Sequence, residues 1–368
     1  MIDTAIELNQ EAQSIRSNRS DFHQRLQQVI AKIQIRPDLA IVHPDYPTVQ
    51  VSGRYQQYLQ HLSQTEQDRY ISSTLEKYLY DILMEKLEPL AAMKEDESET
   101  SINQGDRWYE TEFFQQLVQN NHGRGYSDSD WTLTQRVGEY WQVTKDGLTI
   151  YIHPAHHLSD ETSQLEVGQT VSIIMPPSLI DRGKYIAVGN AGSVSDRQCS
   201  LEYKVLQLYC NTDSDTALNL LNSFTQQLNS LNIPFNFRLA YCEADFQYMD
   251  TAILEFMSRD WLKVKPVIKD SYLTNKSKYK PSIPFFCLPI LPGLGLAEKP
   301  FFLSGNETKN LGHRYCRTLA QAIVENRHKE EYRLKKANYI LELLSENGTN
   351  SDNIYLNPGS EEDYNVSF

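Results

Sequence analysis

The sequence predicts an α+β protein: a helical N-terminal region followed by a mainly antiparallel β-sheet domain with packed helices. Two observations carry that expectation. Apolar residues keep helical spacing up to about Asn121, and from Trp131 the pattern changes to short alternating runs separated by turn residues.

Taken in order, Leu8, Ile15, Phe22, Leu26, Val29, Ile30 and Ile33 form one helical stripe that stops near Arg36-Pro37. After a connection bearing Pro44 and Pro47, the stripe resumes with Tyr55, Tyr58, Leu59 and Leu62. It continues through Ile71, Leu75, Tyr78, Leu79, Ile82 and Leu83. Lys94 to Gly105 is acidic and, Ile102 apart, free of large apolar residues, so it reads as a mobile loop. A short helix follows over Trp108 to Val118. WTLTQRV, YWQVTK and LTIYIHP are then successive strands, with Asp146-Gly147 as a hairpin turn. QTVSIIMP, KYIAVGN and LEYKVLQLYC continue the strand pattern. Asp213 or Ser214 caps a helix carrying Leu218, Leu221, Phe224, Leu228 and Leu231 on one face. Two more strands, FNFRLAY and MDTAILEF, precede a Lys-rich stretch, the Pro- and Gly-rich PFFCLPILPGLGLAEKP and a long helix from about Leu311 to Leu344. The expected division is 1–121, a helical region; 122–346, the α+β domain; and 347–368, a disordered tail.

The 368 residues carry 35 basic and 48 acidic side chains, a formal charge of −13. That balance disfavours general nucleic-acid binding, which needs surplus cations against phosphate. It leaves room for a small, locally positive anion site. No apolar run spans a bilayer and the polar N-terminus is no signal peptide, so no membrane partner is expected. Five widely spaced cysteines without CxxC spacing suggest free thiols in a cytoplasmic protein, not a zinc ribbon or disulfide framework.

Several segments are chemically suggestive. NNHGRGY (120–126) sets Arg124 between two glycines, and GNAGS (189–193) places Asn190 in what is either an anion nest or a hairpin turn. HPAHH offers His153, His156 and His157, but no carboxylate or Cys completes a tetrahedral set, so no metal is expected. In FNFRLAY, Arg238 points away from the face of Phe235, Phe237 and Leu239; it either pairs with Asp250 or faces a ligand. The sharpest signal is GHRYCR: His313, Arg314 and Arg317 crowd a helix N-terminus, where cations oppose the dipole unless an anion is near. Either a phosphate or acidic partners such as Glu298 or Glu307 would supply it. Between Arg259 and Lys280, seven basic residues face two acidic ones, a solvated face or a surface for an acidic partner.

The ordered series NNHGRGYSDSDW, VTKDGLTIYI, KYIAVGN, LYCN, LNSLNIPFNFRLAY, MDTAILEF, LPGLGLAEKP and GHRYCR resembles the HopA-type effector family. That family includes a bacterial type III effector and the stand-alone lyase component of class V lanthipeptide synthetases. The resemblance spans roughly Asn120 to Glu325. It implies elimination of phosphate from phosphoserine or phosphothreonine in a peptide during lanthipeptide-type maturation. The partners would be a phosphorylated peptide substrate and a separate peptide kinase; no cofactor is implied. His313 would be the acid and Arg238, Arg314 and Arg317 the phosphate clamp. Asn190, Asn211, Arg124 and Asp250 are the further substrate- or phosphate-binding candidates. Arg238 and Leu288 stand where Lys is frequent in the family, and Arg is a poor base. Lys145 and Lys184 are therefore the candidate bases. The alternative is a non-catalytic phosphopeptide- or protein-binding module of the same fold.

Overall fold

A seven-stranded antiparallel sheet organises the molecule. The computed structural model describes residues 7, 8, 10, 11, 13, 14, 21–51, 53–84, 111–158, 165–181, 183–194, 202–301, 310–329, 353–361 and 364–367. The acidic stretch 94–105 and the helix expected beyond 329 lie outside these residues.

The N-terminal region is helical, as expected, with α1 (Asp21–Lys32), α2 (Gly53–Gln60), α3 (Gln64–Leu83) and α4 (Thr111–Asn120). Helix α3 starts on a reciprocal capping box between Ser63 and Glu66, which satisfies two otherwise orphaned backbone donors. A small sheet of β1 (Gln34–Ile35), β2 (Ile41–His43) and β3 (Tyr46–Val49) occupies the Pro-bearing connection. These strands are too short to show a period in sequence.

A four-stranded sheet follows: β4 (Tyr126–Val137), β5 (Tyr140–Lys145), β6 (Leu148–Ile152) and β7 (Thr170–Met175), in the order β6-β5-β4-β7. Asp146 and Gly147 take φ of 51° and 79°, the double positive φ of a tight hairpin turn. One face buries Trp131, Leu133, Trp141, Val143, Ile152 and Ile173 as a separate small core. His153, His156 and His157 fall at a single helical turn, α5 (Pro154–His157). Among the described residues, no group of three or more His, Cys, Asp or Glu could hold a metal.

The large sheet contains β8 (Ser178–Asp181), β9 (Lys184–Val188), β10 (Val205–Cys210), β11 (Phe235–Ala240), β12 (Ala252–Met257), β13 (Leu288–Leu291) and β14 (Leu294–Glu298). Its order is β13-β14-β10-β12-β11-β9-β8. Side chains directly opposite in an antiparallel pair share a face, so the register sorts the sheet into two unlike sides. One carries Leu208, Leu254, Phe237 and Ala187 in a single row, with Leu206, Phe256 and Phe235 in the next. Helices α6 (Ser214–Ser230) and α7 (Trp261–Asn275) cover this apolar side, Phe224 packing edge-on to Phe237 and Trp261 stacking on Phe256. The opposite side carries Asp181, Lys184, Arg238, Asn236, Glu255, Gln207 and Tyr209.

Two segments gain structure beyond the sequence reading. The Lys-rich stretch is helix α7, and the Pro- and Gly-rich segment is the β13–β14 hairpin, turned by Gly293 at φ 75°. Pro289 is tolerated because β13 is an edge strand. The final helix, α8 (Leu311–Asn326), is shorter than expected and ends in a turn at 327–328. It packs along α3, and Arg327 pairs with Asp68 at 2.6 Å across the contact. One continuous core joins the N-terminal helices, the sheet and α8. No described helix is long and apolar enough to cross a membrane.

The tail corrects a second expectation. Residues 353–361 and 364–367 are ordered, with Ile354, Tyr355, Leu356, Tyr364 and Val366 buried. Composition misled because the anchor is polar. The fully buried carboxylate of Glu298 accepts bonds from Asn357 N (2.7 Å) and Nδ2 (3.1 Å), Ser360 Oγ (2.7 Å) and Tyr364 OH (2.8 Å). A Glu298→Ala variant strands these donors. It is expected to lose about 3 kcal/mol in urea unfolding and to become sensitive to chymotrypsin at Tyr355 and Tyr364.

Candidate functional site

At one end of the polar sheet face, side chains from four parts of the chain meet. Lys184 and Asp181 are opposite each other on β9 and β8, and Arg238 stands in the adjoining row of β11. Arg238 pairs with Asp181 at 4.0 Å, in place of the Arg238–Asp250 pair that is one of the two alternatives the sequence leaves open. Asp250, just before β12, instead turns its carboxylate to Tyr80 of α3, whose hydroxyl donates to Oδ2 at 3.2 Å. Lys184 Nζ donates to the Asp250 carbonyl at 3.3 Å.

Tyr80 links this cluster to α8. Its phenol oxygen accepts from Asn310 Nδ2 at 2.8 Å, while Asn310 Oδ1 caps the helix by accepting from His313 N at 2.9 Å. The His313 ring lies flat on the Tyr80 ring, centroids 3.8 Å apart and 11° from parallel. Gly312 permits that stack, because a Cβ there would meet Tyr80 Cε2 and Phe286 Cδ2 at 3.3 Å. Burial, reinforced by the facing Asp250 carboxylate, holds the Tyr80 phenol well above its ordinary pKa, so it stays a donor.

The anion that the basic helix start calls for is Glu76, one turn before Tyr80 on α3. Arg317 donates to its two oxygens at 3.1 and 3.4 Å, and His313 Nδ1 stands 3.8 Å from Oε1. Glu298, the partner expected from sequence, is committed to the tail, and Glu307 lies outside the described residues. Burial raises the Glu76 carboxyl, but His313 and Arg317 outweigh it and hold the pKa below the ordinary glutamate value. The stabilisation is therefore complete above that value, roughly 4.3, and fades as pH falls through the lower folded value. Glu76→Gln is expected to flatten the acid limb of the stability–pH curve, as read by thermal unfolding between neutral pH and pH ~3.

The remaining polar face is a buried charge network. Lys299 pairs with Glu255 at 3.0 Å, and Gln207 Nε2 donates to Glu255 at 2.9 Å. Burial opposes ionisation of Glu255, yet Lys299 and Arg238 together keep its carboxyl below the ordinary value. Tyr209, fully buried beside Tyr80, Asp250 and Glu255, joins this network to the Tyr80 cluster.

Lys184, Arg238, Asp250, His313 and Arg317 thus belong to one connected region. Arg314 is half-buried in the first turn of α8, and its guanidinium has no ion pair among the described residues. The other candidates lie apart from this network. Lys145 pairs with Asp128 at 2.7 Å on the four-stranded sheet. Asn190 Oδ1 accepts from Arg124 N at 2.7 Å, so the two glycine-bearing loops brace each other, and the Arg124 side chain is exposed. Asn211 donates to Ser282 O at 2.9 Å and ties β10 to the loop before β13. Leu288 is buried in the row of Leu296 and Leu208, on the helix-covered side.

Sequence reasoning missed Tyr80, Glu76, Asp181, Glu255 and Lys299. Glu255 carried a usable signal, a lone carboxylate inside an apolar strand that must find a cation. Tyr80 carried none, since it blends into the apolar stripe of α3.

The seven strands, the two covering helices, α8 and the tail as far as Leu356 coincide with a family match over residues 175–356, to the HopA1 effector protein family. Over that span the chain is similar to the HopA1 effector family. Two solved structures are similar to it. One is an effector protein from Pseudomonas syringae pv. tomato strain DC3000, with 15% identity and a TM-score of 0.38 over 67% of this chain and 80% of that one. The other is an effector protein from Pseudomonas syringae pv. syringae strain 61, with 13% identity and a TM-score of 0.36 over the same shares. No curated protein matches the chain. The HopA1 span includes His313 and Lys184 but not Glu76 and Tyr80, so the network crosses its boundary.

Proposed function

We propose that this HopA1-like protein eliminates phosphate from phosphoserine or phosphothreonine in a peptide. The supporting observation is the continuous contact chain from Lys184 through Asp250 and Tyr80 to His313, with Arg238 in the row next to that of Lys184 and Arg314 following His313 on α8. In the reaction, the Lys184 amine takes the Cα proton of the phosphorylated residue. The Cα–H electron pair forms the Cα–Cβ double bond, the Cβ–O bond breaks, and His313 protonates the departing phosphate oxygen. Arg238 and Arg314 offset the phosphate charge in the transition state. The Tyr80 ring and the Asn310 cap fix where the imidazole stands. The peptide would be phosphorylated beforehand by a separate kinase.

A second reading, a non-catalytic module that holds a phosphopeptide or a target protein, is favoured by one observation. Arg238 and Arg317 already have carboxylate partners in Asp181 and Glu76. Incubation with a phosphothreonine peptide followed by mass spectrometry separates the two. Loss of the elements of phosphoric acid from the peptide supports the lyase; binding without mass change rejects it and leaves the module.

A further inference from the structure

We infer that β8 is a docking edge, on which an extended phosphorylated peptide adds as another strand of the large sheet. The inference rests on the proposal that such a peptide is the substrate. Among the described residues, β8 pairs with β9 on one side and with no strand on the other. The opposite edge strand, β13, is wholly buried and carries Pro289, two usual ways of closing an edge. Strand β8 has neither protection. Leu179 is 42% exposed and Ile180 47% exposed, and being adjacent they point to opposite faces. An added strand would therefore meet an apolar contact on each side, while backbone hydrogen bonds supply affinity independent of sequence.

Charge selects the occupant. The cations of the polar face begin one strand inward from this edge: Asp181 is opposite Lys184, and the row of Leu179 continues through Ile186 to Arg238. With neighbouring strands about 4.8 Å apart, a residue opposite Asp181 lies roughly 10 Å of backbone from Lys184. The combined reach of a phosphothreonine and a lysine side chain covers that gap. Asp181 faces Arg238 at 4.0 Å, so the phosphate would take the place of a carboxylate of the same charge sign beside that cation. The same edge thus orders the peptide and brings its phosphorylated residue toward Lys184 and Arg238.

The probe is a synthetic Val/Thr-alternating peptide with one central phosphothreonine, its binding followed by fluorescence anisotropy. Two versions are N-methylated at alternate backbone amides, one in each register. Strand addition predicts that one register weakens binding about tenfold while the other changes it little. It also predicts slower amide exchange at 178–181, and weakened binding by Ile180→Asp, a residue on the face away from the cations. Equal tolerance of both registers, or no binding of the parent peptide, overturns the inference. So does finding β8 occupied by a second copy, seen as a dimer that Ile180→Asp dissociates. Alternating sensitivity without loss of phosphoric acid keeps the docking edge and rejects only the lyase. Phosphate elimination from a peptide indifferent to N-methylation does the reverse.

Discussion

A Lys184→Met variant is expected to lose about 10²- to 10⁴-fold in the rate of phosphate elimination, the usual worth of a positioned general base. KM for the phosphopeptide should move far less, since Arg238 and Arg314 remain. Folding should survive, because Lys184 is half-buried and its amine donates to a backbone carbonyl, that of Asp250. The informative comparison is Lys145→Met. Lys145 was as good a base candidate in sequence, yet it is tied to Asp128 on the other sheet. Its loss should leave the elimination rate unchanged. Equal effects of the two substitutions would remove Lys184 from the reaction.

The largest effect on stability is expected at Lys299. Lys299→Met leaves Glu255, 1% exposed, without its closest cation. Breaking such a pair from one side costs about 3–5 kcal/mol, readable in urea unfolding. Replacing both members, Glu255→Leu with Lys299→Met, should recover most of that cost, because desolvation of two charges disappears together. The pH dependence supplies an independent check. In the native protein Glu255 titrates below its ordinary value, so the pair contributes stability above that value and loses it as the pH falls. In Lys299→Met the carboxyl is pushed the other way. The gap between variant and native protein should therefore narrow toward low pH.

The outline of the fold was legible because the period changes from helical to alternating, and because turn chemistry such as Asp146-Gly147 is local. The β13–β14 hairpin was not, since its residues are apolar on both faces and punctuated by Pro and Gly. The tail was misread because Glu298 binds it through polar groups that composition counts as solvent-seeking. Of the site, the residues that stood out were those in chemically awkward places: cations at a helix start, and Arg238 within a strand. Their partners, Glu76 and Tyr80, sit on a helix more than two hundred positions away from α8 (separations of 241 and 230 residues). No local pattern records such a pairing; only packing of α3 on α8 creates it. The same lack of long-range information made Lys145 and Lys184 indistinguishable.

The anchoring of the tail also sets an order of events during synthesis. Glu298 closes β14, but the groups that satisfy its carboxylate lie 59, 62 and 66 residues further along the chain. While the ribosome is still adding those residues, water must satisfy the carboxylate oxygens at the end of the sheet. Full closure of the sheet end is therefore a late step, completed only when Asn357, Ser360 and Tyr364 have emerged. Nascent chains halted before that point should be open at β14, whatever the state of the strands made earlier.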